Sequence, residues 1–178
     1  MNEDALPPVQ TPPAPAPAPV LPEPASWQLL QFIAGRVRLI TKANGCHTNL
    51  GGGGVITGDE QADTDDGQAD TIIVMTNLSI GSSASGHLNS DATVVIEAAL
   101  PREPNVCPRL LSHRVTADLR AALTVKEREL PRFIRTLALT DCQLVDVVDD
   151  AGSGSIVVQA TARAGLTDFS LPAITPTP

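Results

Sequence analysis

The chain has 178 residues, a formal charge of -8 at neutral pH and only one tryptophan, three phenylalanines and no tyrosine. That length suits one ordinary domain with extensions. So few aromatic rings make a base-stacking nucleic-acid platform a poor expectation, and they leave Val, Ile, Leu and Ala to build the core.

Residues 1–25 carry proline at almost every second position. They lack backbone donors and large side chains, so the reading is a flexible, polyproline-like extension outside the folded domain. Glu3 and Asp4 near the start, and no long apolar run anywhere, predict neither a secretory signal nor a membrane span, and synthesis in a cytoplasm. Cys46, Cys107 and Cys142 are odd in number and widely spaced, which fits reduced thiols and no disulfide framework.

The folded domain is expected over residues 26–168. Ser26 is the expected N-cap of a helix SWQLLQFIAGRVRLITKA, with Trp27, Leu30, Ile33, Val37 and Ile40 on one arc and Gln28, Gln31, Arg38 and Lys42 opposite. Arg36, Arg38 and Lys42 suit its C-terminal dipole, and Asn44-Gly45 stops it. Trp27 has a second reading, as a partner-binding residue.

Residues 45–70 read as a long mobile loop or hairpin tip. They hold four consecutive glycines, Gly51 to Gly54, and six acidic residues, Asp59, Glu60, Asp63, Asp65, Asp66 and Asp70. A phosphate-binding loop is disfavoured because neither Lys-Ser nor Lys-Thr follows the glycines. An EF-hand is excluded, because counting back from Gly67 puts Ala62 and Thr64 where the first and third calcium ligands belong.

Thr71 to Ile80 alternates as a strand, and a Ser/Gly/Asn-rich link leads to a second strand at Ala92, in which Val94, Ile96, Ala98 and Leu100 share a face. The short link predicts an antiparallel pair. Pro101 to Pro104 ends that strand, Asn105 is the expected N-cap of a helix, and Pro108 fits its first turn. Leu111, Val115, Leu119, Ala122 and Leu123 form the inward side; Arg109, His113, Arg120 and Thr124 lie outward. After KERELP, Thr136 to Val148 is a strand whose phase breaks at Asp141 and Gln143, the mark of a bulge or of two short strands. Ser155 to Leu166 alternates cleanly and closes a hairpin with it. Residues 169–178 are a proline-bearing tail. The expected fold is α+β: a mostly antiparallel sheet with two helices packed on one face.

The search for chemistry returns no catalytic, cofactor or metal site. Cys46, His47, His87, Cys107 and His113 lack CxxC, HxxxH or HExxH spacing. Cys107 and His113 are six apart on a helix, project to different sides and have no orienting carboxylate. Asn77-Leu78-Ser79 is a glycosylation sequon without meaning unless the chain is secreted. Arg109, His113 and Arg120 read as a solvated face or as an interface for an acidic partner.

The run LITKANGCHTNLGGGGVITGD after the opening helix, then TIIVMTNLSIG, ATVVIEAALPREPN, a helix containing VTADLRAAL and a closing β-hairpin, resembles the tail terminator (tail completion) proteins of long-tailed bacteriophages over residues 26–168. The proline-rich start and the acidic loop depart from that compact pattern. The resemblance implies a structural virion protein, made in the bacterial host cytoplasm, that forms a hexameric ring on the head-proximal end of the tail tube. Such a ring stops tube polymerisation and offers a joining surface to head-completion or connector proteins. Its partners would be further copies of itself, the tail tube protein and the head-side proteins, with DNA passing through unread. No membrane partner and no cofactor is implied. The acidic residues Asp59 to Asp70 would lie at the lumen or at an inter-ring contact, since a negative wall lets phosphate slide. Two other classes stay open: another neck or tube protein, such as a head-tail stopper or tube subunit, and a small cytoplasmic enzyme.

Overall fold

The computed structural model describes residues 23–57, 71–80, 88–148 and 154–168. The proline-rich start, the acidic run 58–70, the link 81–87, the turn 149–153 and the C-terminal tail lie outside the described residues.

Five strands form one sheet: β1 (Gly54–Thr57), β2 (Thr71–Ile80), β3 (Leu88–Pro101), β4 (Ile134–Val148) and β5 (Ser155–Asp168), in the order β1-β2-β3-β5-β4. All neighbours are antiparallel except β1 and β2. Two helices, α1 (Ala25–Val37) and α2 (Pro108–Leu123), pack side by side on one face, α1 against β1 and β2, α2 against β4 and β5. The fold is therefore α+β with one covered sheet face, as the alternating strands predict.

One-sided burial follows directly from the side-chain period of two. Ala92, Val94, Ile96, Ala98 and Leu100 of β3 are buried, and their partners on β5, Ala164, Ala162, Ala160, Val158 and Ile156, are buried beside them. The intervening residues, Thr93, Val95, Glu97 and Ala99 on β3 and Val157, Gln159 and Thr161 on β5, are half-buried on the open face. Many small residues on the covered face let the helices approach closely. Leu29, Ile33 and Val37 of α1 and Leu111, Val115, Leu119 and Leu123 of α2 fill the space above them.

The interruption read in β4 is a bulge. Register shifts occur between Leu139 and Asp141, and also between Ile134 and Thr136 and between Leu144 and Asp146. At the shift between Ile134 and Thr136, Gly165 of β5 donates its N–H to Thr136 Oγ1 at 3.0 Å, and a Cβ on Gly165 would stand 2.9 Å from that oxygen. Thr136 is β-branched and stiff at χ1, so it yields poorly. Gly165→Ala is expected to cost about 1–3 kcal/mol of unfolding free energy by overpacking. Adding Thr136→Ala should return part of that loss in a denaturant titration; strict additivity of the two would contradict the steric account.

Three expectations need correction. First, α1 begins at Ala25 after Pro24, with no side-chain cap, and ends at Val37. Ser26 lies inside it, and Asn44-Gly45 instead closes a separate 3₁₀ turn, Lys42–Asn44, with Gly45 left-handed at φ 83°. Its buried arc is Ala25, Leu29, Leu30, Ile33, Ala34 and Val37, while Trp27 is 40% exposed. At 3.6 residues per turn Trp27 sits about 120° round from Ile33, outside the arc. Second, Asn105 is not the N-cap of α2. It adopts φ 64° in the preceding turn, and Cys107 precedes Pro108, which occupies the first helical position. Third, the expected loop from residue 45 holds regular structure before residue 58: Leu50–Gly52 is a second 3₁₀ turn and Gly54–Thr57 is β1, which pairs in parallel with β2 and so makes no hairpin with it.

Candidate functional site

The expected partner-facing residues Arg109, His113 and Arg120 are all exposed on the outer side of α2. His113 and Arg120 line an open concavity of about 730 Å³ with Thr116, Ala117, Ala121 and Thr124. Arg109 stands one turn earlier along the same helix. Small side chains at 117 and 121 make the hollow, and cations stand along it. Among the described residues, none of Arg109, His113 and Arg120 is in an ion pair. Arg114, by contrast, pairs with Glu103 at 3.1 Å, and Glu103 also takes Lys42 at 3.4 Å. Those part-exposed pairs are worth only ~0–1 kcal/mol each. They tie the link after β3 to α2 and to the first 3₁₀ turn.

One lining residue, Thr116, reaches the edge strand β4. Thr116 Oγ1 donates to Ser112 O at 2.8 Å and lies 3.1 Å from Cys142 Sγ. Burial pushes the Cys142 thiol above its ordinary value of 9.0, with Asp141 acting the same way; the Thr116 hydrogen bond and Arg120 oppose it. Cys142 thus stays a thiol at neutral pH. Its folded form also holds its proton longer than the unfolded form, so stability falls as pH climbs past 9, where only the unfolded chain is losing that proton. Alkylation by iodoacetamide at pH 8 is expected at exposed Cys107 first and at Cys142 last. Peptide mapping reads the order, and early modification of Cys142 would contradict it.

Sequence reasoning missed the residue that locks this face to the rest of the domain. Asp118 lies on the inward side of α2 and is 3% exposed. One carboxylate oxygen accepts from His47 N at 2.9 Å; the other accepts from Thr48 N and Thr48 Oγ1, both at 2.8 Å. Thr48 is itself 2% exposed. A carboxylate between Val115 and Leu119 breaks the apolar arc, and that misfit was the available signal: a charge there needs donors, and only a loop backbone supplies several. Asp118 thereby fixes residues 47 and 48, and through them the approach to β1. Arg36 of α1 adds a second tie, its Nε donating to Ala122 O at 2.8 Å in the last turn of α2, where carbonyls lack helical partners.

The acidic residues Asp59, Glu60, Asp63, Asp65, Asp66 and Asp70 lie outside the described residues. Both flanks, Thr57 and Thr71, belong to strands at the β1 edge of the sheet. Cys107 and His113 are both exposed and are not brought together with a carboxylate. Among the described residues no group of three or more His, Cys, Asp or Glu is placed to hold a metal ion, and no helix is long and apolar enough to cross a membrane. No protein-family model matches the chain, and no curated protein matches it.

Proposed function

We propose that this chain is a structural virion protein that forms a ring at the head-proximal end of a phage tail tube, ends tube growth and presents the surface to which the head is joined. The observation that carries the reading is the pair of unlike sheet edges. The four-residue strand β1 ends one side and the fifteen-residue, bulged β4 with the α2 stripe ends the other. A closed ring needs two different, mutually complementary surfaces on each copy, which is what a five-stranded sheet with distinct ends offers. The order of elements, with the ANGCHTNLG turn after the first helix and a hairpin at the end, supports the terminator assignment. The charge of -8 supports a passage that repels DNA phosphate and does not grip it.

The test is tail length. Tails assembled without this chain should carry tubes of uncontrolled length that fail to join heads, whereas tubes of normal length would contradict the proposal. In virions, replacing Asp63, Asp65 and Asp66 together by Ser should lower joining or DNA exit while the chain still folds; unchanged infectivity would count against a working role for the acidic segment.

A further inference from the structure

We infer that the cationic stripe of α2 is the docking site for the acidic segment 58–70 of a second copy of this chain, so that copies associate head to tail. This deepens the ring reading and rests on it only for closure of the contact, not for the contact itself. Two independent features meet here. The segment GDEQADTDDGQAD contains six carboxylates and no basic residue; it follows the last residue of the edge strand β1 and precedes the first of its neighbour β2. The opposite edge, β4 with α2 above it, presents the cations Arg109 and Arg120, with His113 between them, beside an open hollow, and none of the three has an ion pair among the described residues. Five strands at about 4.8 Å spacing put the two edges roughly 19 Å apart. An acidic segment attached near one edge and a basic stripe at the other match between neighbouring copies in a repeating, same-direction contact, the heterologous kind that closes into a ring or runs on as a filament.

The edge strand itself argues for side-chain docking over strand addition. Three register shifts within β4 kink and twist its ladder, and an interrupted edge is a poor template for a long added strand. The small Ala117 and Ala121 leave room for short carboxylate side chains to reach the arginines, which accept them in two-pronged geometry.

Charge reversal tests the contact with the full chain. One variant carries Arg109→Glu and Arg120→Glu; the other carries Asp59→Lys, Glu60→Lys, Asp63→Lys, Asp65→Lys, Asp66→Lys and Asp70→Lys, which turns the segment from wholly acidic to wholly basic. The wild-type chain is expected to gain mass with concentration in low salt, and to lose it as salt is added. Each variant alone sets like charges against each other and should weaken association on the order of a hundred-fold. Mixed one to one, the two variants restore both contacts by alternating, so mass should return. Their urea midpoints should match the wild type, since the α2 changes are at exposed positions. Association indifferent to both reversals would overturn the contact while leaving the ring reading intact. A wild-type chain that stays monomeric in low salt, or a mixture that fails to recover, also overturns it. Recovery in the form of open, growing chains would uphold the contact and count against the ring.

Discussion

Asp118→Ala is expected to lower the unfolding free energy by about 3–5 kcal/mol, a large share of the ~5–15 kcal/mol that holds a domain of this size. The side chain is buried and accepts three hydrogen bonds, two from backbone N–H groups of residues 47 and 48. Removing it strands those donors away from water. Asp118→Asn is the sharper probe. The amide keeps one acceptor oxygen but turns an NH2 group toward an N–H, so it should cost most of what alanine costs. Thr48→Ala loses only the hydroxyl contact and should cost about 1 kcal/mol, and Thr48→Ser should cost less. Urea unfolding followed by circular dichroism reads all four. An Asp118→Asn chain as stable as wild type would show that no carboxylate is needed there. The effect should also reach function, because the pinned loop leads into β1, the edge from which the acidic segment departs.

Gly51→Val should be nearly as damaging, at about 3 kcal/mol or more, with Gly51→Ala at the upper part of the usual overpacking range of ~1–3 kcal/mol. Gly51 donates its N–H to Ile40 O at 2.7 Å, and a Cβ on it would overlap the backbone carbonyls of Val37 and Arg38. Backbone at the end of α1 cannot rotate aside as a side chain can. Gly52 and Gly54 have open space where a Cβ would go, so alanine there should change stability by less than about 1 kcal/mol. Unfolding midpoints that rank Gly52→Ala or Gly54→Ala below Gly51→Ala would contradict this assignment. The glycine run thus serves a close crossing of loop over helix end, which gives it a purpose without any phosphate.

Much of this architecture is readable from the residues alone, and the parts that are not share a physical cause. β3 and β5 are legible because one face is buried and the other is not, so the period of two survives in Val94, Ile96, Ala98 and in Val158, Ala160, Ala162. The break at Asp141 is legible because a bulge reverses the phase. β1 is not, since Gly54–Thr57 has four residues and joins the sheet only through parallel pairing to a strand that begins at Thr71. Nothing local announces a pairing made at that distance. Trp27 misleads because a large apolar residue draws the helical arc toward itself, although burial is decided by Leu29, Ile33 and Ala34. At α2, Pro108 limits where the helix starts, and the residue before it holds the cap position whatever its propensity. In the candidate site the exposed Arg109, His113 and Arg120 follow from helical phase, whereas Asp118 hides inside the apolar arc because its donors come from residues some seventy positions earlier.

α2 is therefore the organising element for the proposed role: its inner face pins the loop that leads to one sheet edge, and its outer face supplies the cations at the other. The most direct measurement is the mass and shape of the purified chain, alone and mixed with tail tubes, by light scattering and negative-stain imaging across a concentration series. Closed rings of six times the 18.5 kDa chain mass, seated singly at tube ends, are the expected result. Long cylinders built from this chain would identify a tube subunit instead, and a chain that remains monomeric and leaves tube ends bare would contradict the ring.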